Sequence, residues 1–127
     1  MYSHTTLGTN DWNQAKPFWD AVSTALELPE LFKYDGGAAY GTLQGEKLFI
    51  VPPFDGKPAT FGNGTHIAFL AKNRIIVEAF YNAAIKNGGT DEGAPGLRPH
   101  YHANYYSAYV RDPDGNKLQA VCHSSKE

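Results

Sequence analysis

The chain has 127 residues, 42% of them hydrophobic, with two Trp, eight Tyr and seven Phe: one packed domain, not a disordered segment. A formal charge of −2 with no long charge run excludes nucleic acid or an acidic membrane surface as the main partner. No apolar stretch reaches the roughly 18 residues of a membrane span, the Met-Tyr-Ser-His start has no leader-like basic or apolar region, and the single Cys122 has no internal disulfide partner, so a cytoplasmic setting is expected.

Residues 2–9 carry Thr5, Thr6 and Leu7 and predict a strand. Asn10 or Asp11 then caps a helix whose apolar positions, Ala15, Phe18, Val22, Ala25 and Leu26, recur at three and four. Pro17 disturbs its first turns or moves its start towards Asn13. Three short strands follow near 31–35, 38–43 and 47–52, and the Pro- and Gly-rich stretch from Pro52 to Gly64 closes the first half. The second half begins with a strand over 65–71. Asn73 caps a helix with Ile76, Val77, Phe80, Ala83 and Ala84 on one face, and Asn87-Gly88-Gly89 ends it. A loop from Gly93 to about Asn104 leads to an aromatic strand over 105–111. The turn Asp112-Pro113-Asp114-Gly115-Asn116 then joins it to a last strand over 117–123.

The two halves repeat one order, β-α-β-β-β. With His4 set on His66, Leu7 falls on Phe69, Asp11 on Asn73, Phe18 on Phe80 and Trp19 on Tyr81. With Gly45 set on Gly115, Lys47 falls on Lys117, Leu48 on Leu118 and Val51 on Val121. Equivalent residues of a duplicated unit converge about its pseudo-symmetry axis, so the two histidines are the first pointer to a site. Strand parity places Leu48, Ile50, Leu118, Ala120 and Cys122 beneath the helices. The mixed rows with His4, His66 and Gln119 then line the concave side. Tyr105, Ser107, Tyr109 and Arg111 share one face of the penultimate strand and offer hydroxyls, a cation and flat aromatic area; a partner subunit covering that face is the alternative. Arg98, His100, Tyr101 and His102 lie in the long second-half loop, either closing over an oxyanion or as a solvated segment or dimer contact. Cys122 reads as a small buried hydrophobe.

The segments His4–Asp11 and Gly64–Phe69, and above all YYSAYVRDPDGNKLQAVCH at 105–123, resemble the glyoxalase/bleomycin resistance protein/dioxygenase superfamily, the vicinal oxygen chelate proteins. The resemblance covers nearly the whole chain. It implies an α+β fold: two β-α-β-β-β modules, about 1–54 and 64–127 of a single domain, forming a curved mixed sheet around a U-shaped cleft. Dimerisation often accompanies the fold, so a homodimer is expected. Family metal ligands come from the first and last strand of each module, which here correspond to His4, Phe49, His66 and Gln119. The resemblance thus implies one divalent ion (Fe, Mn, Ni, Co or Zn) held by His4, His66 and Gln119 and a substrate bound through adjacent oxygens; Phe49, Arg98, Tyr101, Tyr105, Tyr109 and Arg111 are the residues expected around such a ligand. Two departures stand out: Gln119 is neutral where Glu is common, and Phe49 has no ligating atom. Two functions stay open, a metal-dependent lyase, isomerase or dioxygenase, and a metal-free protein that binds or sequesters a small molecule in the same cleft.

Overall fold

The computed structural model describes residues 1–127. In chain order its elements are β1 (His4–Gly8), α1 (Trp12–Ala25), β2 (Glu30–Tyr34), β3 (Gly37–Gly41) and β4 (Lys47–Val51), then β5 (Ile67–Leu70), α2 (Arg74–Lys86), β6 (Thr90–Leu97), β7 (Tyr106–Arg111) and β8 (Lys117–Cys122). The β-α-β-β-β order occurs twice, in an α+β architecture. Both helices start where capping chemistry placed them: Asp11 accepts from the Gln14 backbone N–H and Asn73 from that of Ile76. Pro17 lies inside α1 and cannot donate to the Asn13 carbonyl, but both residues are exposed, so that oxygen is accessible to solvent.

Each half forms a four-stranded mixed sheet, ordered β1-β4-β3-β2 and β5-β8-β7-β6, with its first strand parallel to its last. Two sequence expectations need correction. The stretch from Gly93, read as loop, belongs to β6, which pairs antiparallel with β7. Gly93, Pro95 and Gly96 argue against a strand, but β6 is an edge strand, where a missing N–H breaks no ladder. Its register also breaks on both sides of Gly93, whose φ of +152° glycine tolerates. The second correction is that β5 begins only at Ile67, so His66 precedes the strand instead of lying within it.

One apolar cluster serves both modules. It runs through Phe18, Trp19 and Val22 of α1, Val77, Phe80 and Ala84 of α2, and the inward rows Leu48/Ile50, Ala108/Val110 and Leu118/Ala120/Cys122 of the sheets. The helices also pack on each other. At the end of α2, Gly88 turns the chain with φ +97°, and a Cβ on Gly89 would lie 2.8 Å from the Phe18 ring, so that close approach requires glycine.

A polar tie also joins the modules. The Asp112 carboxylate is buried and accepts from the backbone N–H groups of Asp114 and Asn116 and from Asn116 Nδ2. Asn116 Nδ2 also reaches the Gly8 carbonyl, and Asp114 Oδ1 accepts from the Asn10 backbone N–H. The β7–β8 turn thereby grips the junction between β1 and α1. Burial pushes the Asp112 carboxyl above the usual carboxylate range, and its Asn116 donors pull it back.

Asp112→Ala should lower stability by about 2–3 kcal/mol, because it orphans buried donors and frees the turn. Asp35→Ala, on the surface, should stay within about 0.5 kcal/mol. Urea midpoints compare the two; equal losses would mean that the turn does not hold the modules together.

Candidate functional site

The residues that point away from the helices build two unlike surfaces. In the first module the outward row of β4 brings Phe49 against His4, ring centroids 5.2 Å apart and edge-on, and against Tyr34 at 6.4 Å and nearly parallel. Phe32 continues the row, 6.5 Å from Tyr34. Beneath these rings β3 contributes only small residues to the outward face, Gly37, Ala39 and Gly41. This surface is mainly aromatic, with Thr6 and Lys47 in the same outward rows; His4 is exposed, with its Nδ1 engaged by Ser3 Oγ at 2.8 Å.

In the second module the same strand positions carry polar groups. Gln119 replaces Phe49 at the equivalent place on β8, and it is 1% exposed. A buried primary amide must satisfy both ends. Its Oε1 lies 3.2 Å from His66 Nε2, and its Nε2 donates to the Tyr105 hydroxyl at 2.7 Å. This orientation puts the His66 proton on Nε2. It also occupies a lone pair of the Tyr105 hydroxyl, whose own proton therefore points away from Gln119, on the side where the Tyr109 hydroxyl is its neighbour. Tyr109 stands beside them, its ring 6.1 Å from His66. Burial first, then the neighbouring Tyr105, raise the Tyr109 hydroxyl above the usual phenol range. Ser107, between the two tyrosines on the same face, is fully buried and its Oγ has no hydrogen-bond partner.

The other candidates divide. Arg111 is committed to Glu92 at 2.9 Å and to the Gly115 carbonyl, which makes it a brace between β6 and the turn. Arg98 donates to the carbonyls of Ala94 and Gly96 and covers the Tyr109 ring at 5.7 Å. Tyr101 is exposed and packs on Tyr105 at 4.7 Å. The sequence reading passed over Lys117, whose Nζ lies 5.5 Å from the centre of the Tyr109 ring and forms no ion pair. Its parity with Gln119 on β8 was the available signal. It also passed over a contact between His102 and His123, 2.9 Å apart. His4 and His66 both line a groove of about 540 Å³ beside the free strands β1 and β5, whose other walls include Leu26, Leu48 and Leu70. No three His, Cys, Asp or Glu side chains converge anywhere in the chain to hold a metal ion.

Comparison with known proteins agrees with this fold. The family model described as glyoxalase/bleomycin resistance protein/dioxygenase superfamily matches residues 2–120. A glyoxalase/bleomycin resistance protein from Albidiferax ferrireducens T118 is 36% identical, with a TM-score of 0.87 over 98% of this chain and 99% of that one. Two more distant structures share the fold. A glyoxalase-related enzyme from Fulvimarina pelagi is 19% identical, with a TM-score of 0.73 over 96% of this chain and 87% of that one. A lactoylglutathione lyase from Agrobacterium tumefaciens is 18% identical, with a TM-score of 0.63 over 96% of this chain and 92% of that one. Among curated proteins, none matches. No helix is long and apolar enough to cross a membrane.

The amide orientation at Gln119 is open to direct measurement. Side-chain nitrogen NMR should find His66 as the Nε2–H tautomer, and Tyr105→Phe should cost about 1 kcal/mol by leaving the Gln119 Nε2 donor without its partner. A His66 protonated only on Nδ1 would mean that the amide points the other way.

Proposed function

The chain belongs to the glyoxalase/bleomycin resistance protein/dioxygenase superfamily, and from that premise we propose that it binds a small, oxygen-rich molecule without a metal ion, on the polar face of the second module. The observation that carries this reading is the buried Gln119 amide, spent at both ends on His66 and Tyr105. With that amide fixed, the face offers the ligand donors: the Tyr105 and Tyr109 hydroxyls and the unpaired Lys117 ammonium. The nearby Glu92 carboxylate is taken by Arg111. A face of donors without a free carboxylate selects acceptor oxygens, above all anionic ones. Phe49, with Tyr34 beside it, supplies flat apolar area on the first module.

The implied divalent ion would have to be held by the same side chains. His66 Nε2 and Gln119 Oε1, 3.2 Å apart, have a separation that two ligands of one ion can share. The rest of the donor set does not fit. His4 belongs to the other sheet and turns its ring against Phe49, which brings no donor of its own. No carboxylate joins the set to offset an ion's charge, and two neutral imidazoles with one amide form a weak site for Mn or Fe. The rival reading, a metal-dependent lyase, isomerase or dioxygenase with His4, His66 and Gln119 as ligands, draws its support from the 3.2 Å separation and from the equivalence of the two histidines.

We also propose that the working form is a homodimer. The outer edges of β1 and β5 are unpaired, and Leu70 beside them is 75% exposed, which a second copy would cover.

Tag-free protein incubated with Mn, Fe(II), Co, Ni or Zn and then dialysed should retain far less than one ion per chain. Phenylphosphonate, a probe with an aromatic ring and anionic oxygens, should shift the Gln119 side-chain amide signals, and Tyr105→Phe should weaken that response about tenfold. One tightly held ion per chain, lost in both His4→Ala and His66→Ala, would overturn the metal-free reading in favour of the enzyme.

A further inference from the structure

The turn between β6 and β7 carries a hydrogen-bonded chain that admits only one placement of protons. The Asn104 backbone N–H donates to His102 Nδ1 at 3.1 Å, so that nitrogen bears no proton. A neutral imidazole keeps one N–H, which His102 must therefore carry on Nε2. His102 Nε2 faces His123 Nδ1 at 2.9 Å, the rings inclined at 30°. His123 Nδ1 must then accept, and its own proton sits on Nε2. A proton added to His102 Nδ1 would face the Asn104 N–H, and one added to His123 Nδ1 would face the His102 N–H. The bonded arrangement thus holds two neutral rings of the same tautomer.

The pair bears on the ligand face through Tyr105. The Tyr105 ring meets His102 edge-on at 5.4 Å and His123 edge-on at 5.3 Å, and its hydroxyl is the group that Gln119 Nε2 holds at 2.7 Å. Within the turn, backbone bonds from Arg98 N to Tyr105 O and from Tyr105 N to His102 O close the segment on itself. Two side-chain hydrogen bonds fasten it to β8 and the residue that follows it, Gln119 to Tyr105 and His102 to His123.

We propose that His102 and His123 form a tautomer-locked clasp that positions the Tyr105 hydroxyl, so that both histidines act as positioning residues for ligand recognition. The proposal rests on the reading of Tyr105 as a ligand donor. A transition-metal ion between the same two nitrogens is the competing use of such a pair. It would require the proton of His102 to sit on Nδ1, where the Asn104 N–H already points, whereas a ligating histidine turns its second nitrogen to an acceptor.

Side-chain nitrogen NMR of the ligand-free protein should find His102 and His123 both as Nε2–H tautomers. His123→Leu removes the acceptor, and should speed hydrogen exchange of the Gln119 side-chain amide about tenfold and weaken phenylphosphonate binding to a similar extent. His123→Gln restores an acceptor oxygen and should keep both within about twofold of the parent. An Nδ1–H tautomer at His102 in the parent protein overturns the clasp, as does unchanged Gln119 exchange in a folded His123→Leu variant. If the tautomers and exchange rates behave as stated while phenylphosphonate binds nowhere, the clasp stands and the oxyanion reading falls.

Discussion

Everything on the two sheet faces depends on a core that neither module can complete alone. Each helix presents one apolar stripe, and the stripes meet each other as well as the sheets: Phe18, Trp19 and Val22 lie in the same cluster as Val77, Phe80 and Ala84. Burying a large apolar side chain stabilises by about 1.5–3 kcal/mol, so separating the modules would expose several such contributions at once. The chain therefore has no freedom to part its halves while folded. With the helical side sealed, the outward rows of both sheets are left for a ligand or a partner.

That division explains how a duplicated unit came to hold two different surfaces. The inward rows are tied to packing and have stayed alike, with Leu48 matching Leu118 and Ile50 matching Ala120 in the core. The outward rows carry no such duty. At the position equivalent in both modules, the first has Phe49 against His4 and the second has Gln119 against His66. The first contact is an edge-on aromatic pair. The second is a polar link that commits a buried amide and, through Tyr105, reaches a turn far along the chain.

The fold was largely legible because its signals are local. Asp11 and Asn73 are capping residues followed by helical spacing, and Asp112–Asn116 is turn chemistry between alternating strands; all lie where expected. β6 was missed because Gly93, Pro95 and Gly96 signal a loop to any short-range reading. Its strand character comes from β7 alongside it and from an edge position that forgives proline. The site was legible in part. Parity placed Gln119 and Tyr109 on one face, and the repeat singled out His4 and His66. What parity cannot give is where a long side chain ends. Arg98 and Arg111 had the residue type of ligand groups, yet the backbone carbonyls and Glu92 within their reach claim them. The meeting of His102 with His123 depends on the conformation of the 98–105 turn, which no periodicity encodes.

The buried amide also sets the chemistry this face can perform. A carboxylate at position 119 would accept from His66 and from the Tyr105 hydroxyl, turning that phenol's proton inward and adding a negative charge beside any bound oxyanion. The amide does the reverse. Its Nε2 donates to Tyr105 and turns the phenol proton away from position 119, and its neutrality gives Lys117 no counter-charge there. One atom's difference, nitrogen for oxygen, thereby reverses the direction of the hydrogen bond at Tyr105 and the sign of the local field. On the proposed reading, a site so arranged favours an acceptor oxygen over a cation. On the same reading, selectivity resides in the positioning of the Tyr105 hydroxyl, whose ring packs edge-on against both imidazoles.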